Sequence, residues 1–387
     1  MAIPLKYNIG NLMSRKVSAI MTIFGIGLVI AVMVAMLALY NGVQQALVSS
    51  GSKENLMVLR EGAQTEATSW VTREKYRIIR ALPGIDKAPD GEPLVSPELV
   101  IIFKLPRYDN PTGSNINVRG VTQKAMAIRP YITMVDGRMF KPGTNEVIVS
   151  SRMRKRFRST NIGDSFKFGP RNWTVVGVFD ANGTSFDSEI WADVEYLGLA
   201  QKRPEYSSVL VKPDGAAAMR SISDTIATDM RLKLLVKSEF KYYEDQTSGL
   251  LGIRVLVTIV AFFMVLGATL GAMNTMFSAV ASRKRELATM RALGFRRRDV
   301  LLSIVIESIV LSALAGIAGV LLALPVNGIA TGTANFITFS EVAFNFRISP
   351  AVAIFAVSLA IVAGVIGGLL PAISAARLPI TRALREI

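Results

Sequence analysis

Neither cysteine nor histidine occurs among the 387 residues. Disulfide staples, thiol nucleophiles, histidine general bases and the usual zinc sites are therefore excluded, while carboxylate-bound hard metals are not. Charge is also missing over long blocks. None occurs in residues 17–52, 255–282 or 348–376, and in 300–340 the sole charge is Glu307. Each block can hold the roughly 20 apolar residues that cross a bilayer. The first is too long for the ~7–15-residue apolar stretch of a cleavable signal and reads as a retained anchor.

What is present follows from these gaps. The apolar blocks predict four membrane helices over about residues 17–40, 255–279, 300–324 and 350–370. The expected fold class is a membrane protein of α+β type: one transmembrane helix, a large mixed α+β extracytoplasmic domain, then three more helices. The segments are 1–16 (a cytoplasmic interfacial segment), 17–42 (first helix), 43–254 (the inserted domain), 255–282 (second helix), 283–299 (cytoplasmic loop), 300–328 (third helix), 329–347 (a short outer link), 348–376 (fourth helix) and 377–387 (cytoplasmic tail).

Orientation comes from the position of the charge. The formal net charge is +15, and ten of those charges sit on three short segments flanking the helices. Lys6, Arg15 and Lys16 precede the first helix; seven basic residues against Glu286 and Asp299 separate the second and third; Arg377, Arg382 and Arg385 against Glu386 follow the fourth. Basic residues near helix ends stay in the cytoplasm, so both termini and the 283–299 loop are expected inside. A nucleic-acid surface would gather the charge on one folded face, and none is expected.

In the inserted domain, residues 56–59, 99–104, 145–150, 173–179 and 208–211 read as strands. Met219, Ile222, Ile226 and Met230 recur at helical spacing, and residues 88–97 and 106–117 read as loops. No catalytic constellation stands out: the carboxylates are scattered and no serine has a histidine partner. The basic run Arg152, Arg154, Lys155, Arg156 and Arg158 reads as a solvated helix face, with a site for anionic headgroups or an acidic partner as the alternative.

The loop Ser282-Arg-Lys-Arg-Glu-Leu-Ala-Thr-Met-Arg-Ala-Leu-Gly294 predicts a short helix with Glu286 in its early turns, Leu287, Met290 and Leu293 on one face, and Gly294 as its stop. Such a helix can dock into a groove of another protein. An ordinary basic stop-transfer loop accounts for the arginines equally well. Glu307, the one ionisable residue within the predicted spans, lies near enough to the inner surface to snorkel or pair with a loop arginine, and a structural ion pair is favoured over an ion path. Gly267 and Gly271 form a Gly-x-x-x-Gly step that allows close helix packing. The apolar residues Ile3, Leu5, Ile9 and Leu12 fit an interfacial helix over residues 3–13.

Asn274-Thr-Met, Ser282-Arg-Lys-Arg-Glu286 and Met290-Arg-Ala-Leu-Gly294 together closely resemble the signature of the FtsX-like and MacB-type permeases, the type VII ABC transporters. Ile306-Glu307-Ser with Gly316 and Gly319 is similar to that family's next element, and Leu370-Pro371, Ala376-Arg-Leu-Pro379 and Ala383-Leu-Arg385 to its closing motif.

The resemblance implies a non-catalytic permease subunit of an ATP-driven exporter in the bacterial inner membrane. Its contact with the ATPase would be carried by Arg285, Glu286, Leu287, Met290, Arg291, Leu293 and Gly294. MacB itself carries an ATPase ahead of its first helix. Here sixteen residues precede Val17, and no Gly-rich loop ends in Gly-Lys-Ser/Thr, so ATP and magnesium are expected on a separate ATPase present in two copies. A second permease copy or paralogue and membrane lipids complete the expected partners, and a periplasmic adaptor protein is one the family allows. The alternative within the family is an FtsX-like regulator of a periplasmic enzyme, with nothing transported.

Overall fold

The computed structural model describes residues 16–335 and 337–377. The expectations for residues 3–13 and for the tail beyond Arg377 lie outside them.

Four helices are long and apolar enough to cross a membrane. They are α1 (Lys16–Val48), α8 (Leu251–Ser282), α10 (Arg297–Ala323) and α11 (Pro350–Ala376). Between α1 and α8 the chain forms β1 (Leu56–Arg60), α2 (Arg73–Arg80), β2 (Val95–Leu105), β3 (Ser114–Val121), α3 (Ala125–Ile128), β4 (Thr133–Gly137), β5 (Glu146–Ser150), α4 (Ser151–Arg156), β6 (Ser165–Phe168), β7 (Arg171–Asp180), β8 (Glu189–Asp193), α5 (Val194–Ala200), β9 (Ser208–Val211), α6 (Gly215–Thr228), β10 (Leu234–Ser238) and α7 (Glu239–Gln246). The short helix α9 (Lys284–Ala292) lies between α8 and α10, and the strands β11 (Ala330–Ala334) and β12 (Glu341–Asn345) between α10 and α11. The fold class is thus one apolar helix, a mixed α/β domain, and three apolar helices.

The chain packs as two compact units. One holds the helices up to Asn41, Ile253–Ile329 and the chain from Phe346; the other holds Gly42–Gly252 with Ala330–Asn345.

In the inserted domain ten strands form one mixed sheet in the order β10-β1-β9-β2-β3-β8-β5-β7-β4, with β6 beside β7. The β3–β8 and β5–β7 pairs are parallel. Strand periodicity sends alternate side chains to opposite faces. Leu56 and Val58 join Ile79, Val209, Ile222 and Ile226, whereas Met57 and Leu59 join Ile148, Phe186, Trp191 and Tyr243. Because both of its faces are covered, β1 is apolar at every position but its last, the pattern of a doubly buried strand.

Several expectations need correction here. Residues 95–97 and 114–117 are strand, not loop: Val95, Ser96 and Pro97 of β2 pair with Val211, Leu210 and Val209 of β9, and β2 and β3 pair from Leu99–Gly120 to Leu105–Ser114. Helix α6 buries Ile222 and Ile226 but stops at Thr228, and Met230 lies beyond it, 79% exposed, where Asp229 turns back to bind Arg231. The basic run is a solvated face only in part: Lys155 and Arg158 are exposed, but the three other members are paired. Arg152 pairs with Asp187, Arg154 with Asp136, and Arg156 with Glu341. Within the 329–347 link, β11 and β12 pair as an antiparallel hairpin, a detail the sequence leaves open.

In the helical unit, small residues set the approach of the helices. A Cβ on Gly316 would meet Val357 Cα at 3.1 Å, one on Gly367 would meet Thr269 O at 2.6 Å, and Gly319 lies equally tight against Gly27 O. Ser308 Oγ donates to Gly364 O at 2.6 Å, which locks α10 to α11. Gly267 and Gly271 are not part of this. Both are exposed, and among the described residues nothing lies within 4 Å of a Cβ built on either, so their step makes no packing contact within the chain.

Candidate functional site

The sequence marks α9 and Glu307 as the candidate site, and the structure brings them together. Helix α8 runs to Ser282, and Arg283, with φ −115° and ψ 17°, breaks the helix before α9 starts. The break aims the Arg283 side chain inward. Its Nη1 donates to Glu307 Oε2 at 2.8 Å and its Nε to Glu286 Oε2 at 3.0 Å. One guanidinium therefore ties the start of α9 to α10. Burial, and then the nearby Glu307 carboxylate, raise the Glu286 pKa above its ordinary value.

The far end of α9 is fixed as well. Arg291 Nη1 donates to Ala376 O of α11 at 3.0 Å. Gly294 has φ +100°, its N–H reaches Arg291 O, and Phe295 N–H reaches Met290 O, the two bonds of a Schellman stop. Leu287 and Ala288 are buried, and Leu287 packs in a cluster with Met276, Val280, Val300, Ile304 and Ala375.

This geometry divides the seven expected contact residues. Leu287, Met290 and Arg291 face the chain's own helices, and Glu286 is half-exposed beside Arg283. Arg285, Leu293 and Gly294 are exposed, Leu293 at 75%. The expectation that Leu287 and Leu293 share a face fails because six residues at 3.6 per turn separate them by about 120° around the helix. Helix α9 thus has an apolar inner face bolted to α10 and α11 and a separate outer face bearing Arg285, Thr289 and Leu293.

A second charged constellation, in the inserted domain, is not foreseen from the sequence. Arg119 donates from Nε to Glu189, from Nη1 to Glu66 and Glu98, and from Nη2 to Glu66 and Glu189, at 2.6–2.9 Å, so all five of its N–H groups are used. Arg129 binds Glu98 and Glu239, and Glu239 also accepts from Asn55 and from Ser52 N. All six side chains are buried. Burial pushes the Glu98 carboxyl up, but Arg129 and Arg119 outweigh it and hold it below the ordinary range. Burial alone would lower Arg119 and Arg129, yet their carboxylate partners hold both well above normal. With all five Arg119 donors used and Arg129 bound to two carboxylates, the cluster is a cross-tie. It joins β2, β3 and β8 to the chain after β1 and to the first residue of α7, the helix that leads through Thr247–Leu250 into α8. A charge inside an apolar strand, as at Glu98 and Arg119, is the signal that could have found it.

Family comparison decides the assignment. The family model described as MacB-like periplasmic core domain matches residues 19–228, more than half of the chain. The chain belongs to the MacB-type permease family. A second model, FtsX-like permease C-terminal, matches residues 258–380 of this MacB-type permease. The macrolide export ATP-binding/permease protein MacB of Hahella chejuensis is 25% identical over 96% of this chain and 58% of its own length. The pyoverdine export ATP-binding/permease protein PvdT of Pseudomonas fluorescens is 27% identical over 95% of this chain and 57% of its own. The chain thus spans just under three fifths of the length of these curated relatives. Among solved structures, the periplasmic region of MacB from Actinobacillus actinomycetemcomitans is similar with a TM-score of 0.39 and 12% identity, over 50% of this chain and 92% of that one. The assignment rests on the family models.

Proposed function

We propose that this MacB-type chain is the permease subunit of an ATP-driven exporter, and that it converts the closure of an ABC ATPase into movement of its inserted domain. The observation that carries the reading is the two-faced α9. Its inner face and two arginines fasten it to α10 and α11, so a push on its outer face is passed to the helices rather than lost in a loose loop. Arg285 and Leu293 on that outer face are the contact we assign to the ATPase.

In this reading the α9 loop and both termini are cytoplasmic, as the charge distribution favours, and the inserted domain is periplasmic. ATP and magnesium are held by a separate ATPase subunit in two copies, one per α9 of a pair of permease chains. Both relatives described above are named as ATP-binding/permease proteins for export, which supports ATP as the energy source.

The test is recovery of the ATPase with the purified full chain. Leu293→Asp and Arg285→Glu together are expected to lower recovery at least tenfold while the unfolding temperature of the chain stays unchanged. Unchanged recovery and unchanged stimulation of ATP hydrolysis would show that α9 is a stop-transfer loop and no more.

A further inference from the structure

We propose that the β11–β12 hairpin between α10 and α11 is a third mechanical attachment of the inserted domain, beside α1 and α7, and that Glu341 fastens it. The proposal rests on the reading of this chain as a transmitter of ATPase motion.

A two-stranded hairpin alone is marginal in water, so its order must come from what it docks on. Residues Ala330–Asn345 pack as part of the inserted domain, although the sequence places them among the membrane helices. Glu341, the first residue of β12, is buried between two guanidiniums. Arg107, in the turn after β2, reaches its Oε2 at 3.1 Å, and Arg156, at the end of α4, pairs with its Oε1. Arg107 is itself held by both oxygens of Asp109, at 2.8 and 2.7 Å. Removing the carboxylate would leave two neighbouring cations facing each other, so this anchor cannot be lost quietly. It also gives a purpose to the densest basic run of the sequence, at its member Arg156.

Backbone groups add to the anchor. Ser188 Oγ accepts from Ala343 N, and Asn115 Nδ2 donates to Phe339 O at 3.1 Å. The hairpin also covers a cavity of about 30 Å³ over the buried cluster, with Thr338, Ser340 and Glu341 facing Glu66, Arg119 and Glu189.

Two glycines show how tightly it is seated. A Cβ on Gly42, near the end of α1, would collide with Asn345 O and stand 2.9 Å from the Phe344 ring. A Cβ on Gly249, in the turn that leads into α8, would lie 2.7 Å from Ile337. The hairpin therefore touches the chain where α1 enters the domain and where α7 leaves it. Its own ends have little slack. Leu324–Val326 is a single 3₁₀ turn after α10, and Gly328 N–H bonds Phe346 O across the root. A displacement of α10 or α11 is then delivered to the sheet through Glu341 instead of being absorbed in a floppy loop.

The experiment follows the distance between spin labels at Met230→Cys and Arg297→Cys in the full chain, assembled with its ATPase, with and without ATP. In an otherwise native chain the distance is expected to change on adding ATP. Four-residue Gly-Ser insertions after both Gly328 and Arg347 should cut the amplitude at least threefold, and Glu341→Gln should do the same. A bismaleimide bridge between Asn115→Cys and Phe339→Cys, with the two spin labels carried in that chain on p-acetylphenylalanine at positions 230 and 297 in place of cysteine, should restore the amplitude in the Glu341→Gln chain, which a mere loss of folding would not allow. Wild-type amplitude in the insertion variant overturns the hairpin proposal while leaving the transmitter reading standing. No ATP-dependent change in the parent chain overturns both.

Discussion

At the residue scale, two buried arginines do most of the organising. Arg119 neutralises parts of three carboxylates that strands β2 and β8 and the chain after β1 bring inward. Removing one partner of such a network strands the others without compensation, which costs about 3–5 kcal/mol. Arg119→Ala should therefore lower the unfolding free energy of the inserted domain by that amount, read as a urea midpoint shifted to lower concentration at unchanged slope. All three tryptophans, Trp70, Trp173 and Trp191, lie in this domain, so tryptophan fluorescence of the full chain reads the transition. An unchanged midpoint would mean the cluster is not a cross-tie.

Glu98 also sets a pH dependence. Its folded pKa is below the ordinary 4.5, so its contribution is complete above that value and is lost as pH falls through the folded pKa. Asp187, which burial raises above 3.8, acts in the opposite sense. The informative comparison is thus wild type against Glu98→Gln, whose stability should fall less steeply below about pH 4.5. Arg283 and Glu307 follow the same logic in the helical unit. Arg283→Ala leaves a buried carboxylate alone and should reduce the amount of folded chain, whereas Glu307→Gln keeps an acceptor for Arg283 and should be tolerated.

At the element scale, the legible and illegible parts of the sequence separate for physical reasons. The four long helices announce themselves because a bilayer forbids charge over a whole span. Strand β3 does not, because Asn115, Asn117 and Arg119 occupy a central strand whose polar side chains are satisfied only by partners distant in sequence. The pairing of Glu307 with a loop arginine could be read, but not that the partner is Arg283, since this depends on the break between α8 and α9. Likewise the Gly-x-x-x-Gly step of α8 signals a packing surface without saying against what. Among the described residues, the glycines packed most tightly between helices are Gly316, Gly319, Gly364, Gly367 and Gly368 of α10 and α11. Gly364→Leu should fail to fold, because its side chain would run into Ser312. Gly271→Leu should leave the chain folded, and any defect should appear on native gels as loss of assembly between copies.

At the scale of the whole molecule, orientation comes first. Single cysteines in this cysteine-free chain can be labelled from outside intact cells. Met230→Cys, highly exposed on the inserted domain, should react and Arg297→Cys should not. The reverse pattern would invert the proposed topology.

The energy source is the central claim. Among the described residues of the four long apolar helices, Glu307 is a buried carboxylate committed to Arg283. Work would instead enter at α9 and leave through α1, α7 and the hairpin. The direct measurement is export activity of the complete assembly in vesicles, with ATP held constant while the proton gradient is collapsed, and with a gradient imposed in the absence of ATP. Activity should persist in the first condition, vanish in the second, and largely survive Glu307→Gln. Activity that follows the gradient and disappears in Glu307→Gln would contradict a mechanical, ATP-driven permease.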